Sequence, residues 1–272
     1  MNYISYLFHP ENEGKAEQLI ALLSNQGFEG FEEEPETLKA FIAEDKFDQA
    51  EFDSVIHTFP SISYEKEIVE NINWNAAWES GFEPVIVHDF AAVRASFHQP
   101  VQGVQHEIII TPKMSFGTGH HATTFLMIEQ MAGINFIDKK VLDFGTGTGV
   151  LAILAEKMGA NSITAIDNDD WSIENAKENI TANDCHHIIL EKAESIITGS
   201  TYDIILANIN LNVILANLEA IQAAANAGAT ILLSGFLSTD GAQMKENLEK
   251  SGFIDISIFQ KGDWLCISCK IS

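Results

Sequence analysis

The sequence predicts an α/β protein whose main sheet is mostly parallel and closed by an antiparallel hairpin, with a small α+β module ahead of it. Three observations carry this prediction. Lys140, Val141 and Leu142 open a short apolar strand that passes through Asp143 into Gly145-Thr146-Gly147-Thr148-Gly149 and then into an apolar helical run. Residues 162–167 (Ser-Ile-Thr-Ala-Ile-Asp) form a second buried strand that ends in an acid. Residues 253–259 and 264–270 read as two strands joined by Gln-Lys-Gly-Asp, a hairpin signal.

The N-terminal stretch reads as a unit of its own, residues 1–68. A strand over 3–9 is followed by a helix over 13–26, with Ala16, Leu19, Ile20 and Leu23 on one face and Gly27 as its C-terminal stop. Strands over 28–33 and 37–44 flank a turn with Pro35. A second helix over 48–59 turns Phe52, Val55, Ile56 and Phe59 inward, and a fourth strand covers 61–68. The order β-α-β-β-α-β is the split, ferredoxin-like arrangement. Glu32, Glu33, Glu34 and Glu36 make a solvated hairpin without catalytic chemistry, so a recognition role is expected of this module. Residues 69–80 read as a helical linker with Trp74 and Trp78 four apart on one face.

The second domain is expected over 81–272. Short strands over 84–87, 92–97 and 106–111 are placed at its edge, covering the ligand site. The loop 113–124 contains Gly117 and Gly119 and leads into a helix starting near His121, with Thr123 and Thr124 in its first turn. That loop reads as a lid. His120 and His121 are adjacent, with no Cys or acid at ligand spacing, so no metal site is expected. Residues 202–207 give a further strand that delivers Asn208 to its carboxyl end, and a helix carrying Val213, Ile214 and Leu218 follows. A strand over 229–234 and a helix over 239–250 complete the domain before the hairpin.

Bulk properties narrow the partners. A formal net charge of −24 opposes direct binding to a phosphate backbone and favours cationic partners such as a basic protein. No membrane span or signal peptide is expected, which places the chain in the cytoplasm as a monomer. Cys266 and Cys269 sit an odd number apart in a strand, hence on opposite faces, and read as small core or surface residues in a reducing cytosol rather than a redox pair or zinc site.

The glycine turn indicates the ligand class. Ligands of open α/β sheets sit at the carboxyl ends of the strands. The dinucleotide fingerprint needs a third Gly or Ala where this chain has Val150. Asp143 would repel a pyrophosphate but can accept hydrogen bonds from a cationic amino-acid tail. Asp167 lies twenty-two residues past Gly145, close to the ~20 expected of a carboxylate that binds ribose hydroxyls.

Asp143-x-Gly145-x-Gly147-x-Gly149 resembles motif I of the S-adenosylmethionine-dependent methyltransferases. The wider set is more specific. Phe-Gly-Thr-Gly-His-His-Ala-Thr-Thr, then Val-Leu-Asp-Phe-Gly-Thr-Gly-Thr-Gly-Val-Leu-Ala-Ile, then Ala-Ile-Asp-Asn-Asp and Ala-Asn-Ile resemble the ribosomal protein L11 methyltransferase family over most of residues 70–272. The resemblance implies a Rossmann-like class I methyltransferase domain with S-adenosylmethionine held by Thr124, Gly145, Asp167 and Asn208. Asp143, Gly147 and Thr118 complete the expected cofactor set. It further implies transfer of methyl groups to lysine or N-terminal amines of ribosomal protein L11, with Asn208 orienting the amine. Alternatives stand beside this reading: a methyltransferase for another protein or a small-molecule amine, a non-catalytic cofactor-binding scaffold, or a dehydrogenase.

Overall fold

The computed structural model describes residues 3–34, 37–69, 83–113, 117, 119–196 and 199–271. They fall into two compact units, Met1–Gly81 and Phe82–Ser272. The expected linker helix with Trp74 and Trp78 lies outside the described residues, and so does the turn at Pro35.

The first unit is a four-stranded antiparallel sheet with two helices. Its elements are β1 (Tyr3–His9), α1 (Glu13–Ser24), β2 (Gly30–Glu34), β3 (Thr37–Ala43), α2 (Gln49–Ile56) and β4 (Ser63–Val69), in sheet order β2-β3-β1-β4. Asn12 caps α1 by accepting from the Lys15 N–H, and Asp48 caps α2 by accepting from Ala50 and Glu51. Leu19, Leu23, Leu38, Phe28, Phe52, Tyr6 and Phe8 form one core. Tyr6 stacks on Phe52 with ring centroids 4.3 Å apart.

The second unit begins with β5 (Val85–Val87), β6 (Ala91–Ala95) and β7 (His106–Ile110). These strands form a separate three-stranded sheet of order β5-β6-β7 within this unit. The reason is packing. Val87, Val93, Ile108 and Ile110 bury themselves in the same core as helices α3 (Ala122–Met131) and α4 (Val150–Lys157).

The main sheet has seven strands: β8 (Lys140–Phe144), β9 (Ser162–Asp167), β10 (Ile188–Lys192), β11 (Tyr202–Asn208), β12 (Ala225–Leu237), β13 (Phe253–Lys261) and β14 (Trp264–Ile271). Their order is β10-β9-β8-β11-β12-β14-β13. The first five run parallel, β14 runs antiparallel to them beside β12, and β13 pairs antiparallel with β14 at the edge. Helices α5 (Asp170–Ala182), α6 (Leu211–Ala216), α7 (Leu218–Ala224) and α8 (Gly241–Lys250) complete the unit. The sequence predicts one helix after Asn208. The chain instead breaks at Asn217, which ends α6, begins α7 and donates its side-chain amide to the Val213 carbonyl at 2.8 Å.

Strand alternation divides the core in two. Val141 packs in one apolar cluster and Leu142 in the other, and Cys266 and Cys269 divide the same way. All four are buried, and each large side chain so removed from water stabilises the fold by about 1.5–3 kcal/mol.

Candidate active site

Register brings the strand ends into line. Phe144 stands opposite Ile166 on one side and Ala207 on the other, and Asn208 stands opposite Ser234. The next positions along, Gly145, Asp167, Asn208 and Gly235, therefore meet at the carboxyl edge of the sheet. The chain leaves β8 toward β9 and β10 and returns to β11 on β8's other side. Such a reversal opens a crevice between loops that diverge. A cleft of about 440 Å³ occupies this point, walled by Gly145, Gly147, Asp167, Asn208, Gly235 and Trp264, with His121, Ser172, Glu194, Asn210 and Val213 around them.

The glycine turn owes its path to backbone freedom. Gly145, Gly147 and Gly149 all have positive φ, at 77°, 55° and 80°. A Cβ on Gly145 would stand 2.1 Å from Ile209 Cγ2. The turn is tied to β9, because Gly145 and Thr146 both donate to the Ile166 carbonyl. The Gly147 N–H donates to Asp167 Oδ2 at 2.9 Å, and Asp167 Oδ1 accepts from the Asp169 N–H at 3.1 Å. Both carboxylate oxygens are thus oriented by amides while the side chain still faces the cleft. Asp169 in turn caps α5, accepting from the Ser172 N–H.

Four of the expected cofactor residues share the cleft wall: Gly145, Gly147, Asp167 and Asn208. Two others stand behind it. Asp143 is completely buried and its carboxylate accepts from the Thr146 hydroxyl at 2.6 Å. It shares the face of β8 that carries Val141 toward the core and braces the turn from beneath, and its Oδ1, like that of Asn208, has no hydrogen-bond partner among the described residues. Desolvation raises its carboxyl from 3.8 to about 7, against a smaller opposing pull from the Thr146 hydroxyl. Thr124 is also fully buried; its hydroxyl accepts from Asn208 Nδ2 at 3.2 Å. Thr118 lies outside the described residues.

Asn208 does not cap the following helix. Asn210 does, accepting from the Val213 N–H. Asn208 instead spends its amide on Thr124, and its Oδ1 is buried without a hydrogen-bond partner among the described residues. An acceptor left in that state costs free energy unless a ligand donates to it.

Among the cleft residues that sequence reasoning did not assign to the site are Gly235, Trp264 and His121. Gly235 has φ 101°, and a Cβ there would stand 2.2 Å from the Ile209 carbonyl oxygen. Trp264 begins β14 and meets the His121 ring edge-on, with centroids 4.4 Å apart. His121 caps α3 by accepting from the Thr123 N–H, and partial burial lowers its pKa. A tryptophan at the start of a hairpin and a glycine late in a strand carry no local sign of a shared cleft.

Comparison with known proteins decides the family. A family model described as ribosomal protein L11 methyltransferase (PrmA) matches residues 11–272. The chain belongs to the ribosomal protein L11 methyltransferase family. A ribosomal protein L11 methyltransferase from Phocaeicola vulgatus is 36% identical over 276 residues, covering 98% of each chain. One from Porphyromonas gingivalis is 37% identical over 281 residues, covering 98% of this chain and 97% of its own. The crystal structure of a ribosomal protein L11 methylase from Lactobacillus delbrueckii subsp. bulgaricus superposes with a TM-score of 0.65 at 26% identity, over 70% of this chain and all of that one. As a member of the L11 methyltransferase family the chain is a methyltransferase, and its methyl donor is S-adenosylmethionine.

The cleft fits that donor. Asp167 offers an oriented carboxylate to a sugar diol, the glycine turn leaves room where side chains would collide, and the orphaned Asn208 oxygen awaits a donor.

Proposed function

We propose that this protein methylates amino groups of ribosomal protein L11, at lysine side chains or the N-terminal amine, from S-adenosylmethionine. The observation that carries this is the unpartnered, buried carbonyl of Asn208 in a cleft whose opposite wall is Asp167 and the glycine turn. Asp167 grips the ribose, Gly145 and Gly147 give the donor close backbone approach, and Asn208 faces the amine.

S-Adenosylmethionine, when bound, supplies a methyl group already activated on a sulfonium. The protein therefore needs no nucleophile of its own, and its work is positioning and exclusion of water. An ammonium has no lone pair, so the substrate nitrogen must enter uncharged. Ile209, Val213, Ala193 and Trp264 in the wall disfavour the charged form by desolvation. Asn208 Oδ1 accepts an amine N–H and so aims the lone pair, while Thr124 holds the other end of the Asn208 amide.

The N-terminal unit serves as the recognition platform for this substrate. Its support is chemical: Glu32, Glu33 and Glu34 are exposed, and a chain of net charge −24 attracts a basic ribosomal protein. The same charge disfavours direct contact with nucleic acid. Among the described residues no helix is long and apolar enough to cross a membrane. The protein acts as a monomer in the cytoplasm.

The test is incubation of the purified protein with S-adenosylmethionine and purified L11, followed by intact-mass analysis of L11. Mass increments of whole methyl groups on L11 are expected. An unmodified L11 beside a labelled small molecule or another labelled protein would replace this reading with the alternative substrate class.

A further inference from the structure

Helix α5 and the residue after it carry asparagines at positions 175, 179 and 183, four apart and therefore on one face. All three are buried. A buried amide is costly unless it is bonded. Here the partners are main-chain groups on the open edge of β7 and just beyond. Asn183 accepts from the Ile109 N–H at 2.9 Å and donates to the Ile109 carbonyl at 2.6 Å. Asn179 accepts from the Thr111 N–H at 2.7 Å, and Asn175 donates to the Thr111 carbonyl at 3.2 Å. Four helical residues rise about 6 Å, and two strand residues about 6.6 Å. The helix can therefore serve β7 as a neighbouring strand would.

Asn179 reaches further. Its Nδ2 donates to Asn175 Oδ1 at 2.9 Å and to the Thr148 carbonyl, inside the glycine turn, at 2.8 Å. The Thr148 side chain is itself fully buried, and its hydroxyl donates to the Gly117 carbonyl at 2.8 Å. Gly117 has φ 110°, and a Cβ there would stand 2.5 Å from that hydroxyl oxygen, so the contact depends on glycine. Two side chains thus join four segments: the end of β7, α5, the glycine turn and Gly117. Neither is among the residues lining the cleft.

We propose that Asn179 and Thr148 are positioning residues for the methyl-donor cleft. Through them the glycine turn is held in register with Gly117 and the β7 edge, which sets where Gly145 and Gly147 stand. This rests on the reading of the cleft as the S-adenosylmethionine site.

The test uses the full-length protein and three variants. Thr148→Val keeps the shape and removes the hydroxyl donor, whereas Thr148→Ser keeps the donor. Asn179→Asp keeps the acceptor for the Thr111 N–H and loses both donated bonds. Affinity for S-adenosylhomocysteine is read by calorimetry, and KM for S-adenosylmethionine and kcat by methyl transfer to L11. Thr148→Val should weaken binding about tenfold, the effect of one lost buried hydrogen bond. KM should rise by a similar factor with kcat little changed, and Thr148→Ser should restore wild-type affinity. Asn179→Asp should follow Thr148→Val; if it fails to fold, the threonine pair decides alone. Wild-type affinity in Thr148→Val, or no recovery in Thr148→Ser, would overturn the proposal and leave the reading of the cleft intact. A wild-type protein that does not bind S-adenosylhomocysteine would remove both.

Discussion

Replacing Asn208 by alanine separates orientation of the amine from binding of the cofactor. Asn208 ends β11, is 8% exposed, and divides its amide between Thr124 and the cleft. The variant removes the one acceptor assigned to the incoming amine. Loss of a preorganised group at a reacting centre costs about 2.7–4 kcal/mol when it stabilises a full charge. A neutral N–H to carbonyl bond in the same setting is worth less, about 1–3 kcal/mol, or about 5- to 150-fold in kcat. Donor affinity should change far less, because Asp167 and the glycine turn stay in place. The assay is methyl transfer to purified L11 at saturating S-adenosylmethionine, paired with calorimetric titration of S-adenosylhomocysteine. Thr124→Val is the companion variant. It frees the Asn208 amide without removing the carbonyl, so its kcat should fall by a smaller factor. Turnover by Asn208→Ala close to wild type, or an equal loss in both measurements, would refute the role.

Two further predictions concern the frame of the site. Gly235→Ala places a Cβ against the Ile209 backbone at a positive φ, and should cost about 1–3 kcal/mol in urea unfolding and displace the cleft wall; a variant as stable and active as wild type would contradict the close approach. Asp143 has a folded pKa of about 7 against 3.8 unfolded, so the folded state holds its proton longer. The stability it contributes is fully present below about pH 4 and is lost as pH rises toward 7. Relative to wild type, Asp143→Asn should flatten that decline, by up to about 1.4 kcal/mol per pH unit, in urea midpoints measured across the window. Parallel pH profiles for the two proteins would refute it.

Much of this architecture was legible because local chemistry and global role coincide. The turn at 145–149, the acid that ends β9 and the polar residue that ends β11 all sit where strand ends must meet, so one-dimensional spacing carried three-dimensional information. The terminal hairpin was legible for a similar reason, its turn residues lying between two largely apolar runs. Where the two diverge, the sequence was silent or misleading. The strand β10 was not read: its residues Ile188–Lys192 are all intermediate or exposed, so no buried face marks the strand. The three short strands β5–β7 were evident from their apolar residues, but their packing partners were not. Those partners lie on α3 and α4, and the β7 edge is met by asparagine side chains whose helical spacing has no meaning until the strand is beside them. The burial of Asp143 and Thr124 was not legible, since a motif gives position along the chain and not the direction of a side chain. Trp264, His121 and Gly235 come from three distant segments that meet only when the sheet closes.

The central claim is that the cleft beyond β8 and β9 holds a nucleoside by the Asp167 carboxylate. Calorimetric titration of S-adenosylhomocysteine into wild type and Asp167→Ala tests it most directly. Wild type should bind one equivalent, and the variant, having lost charge-assisted hydrogen bonds of about 1.5–3 kcal/mol, should bind at least about tenfold more weakly. Equal affinity in the two proteins would contradict the account.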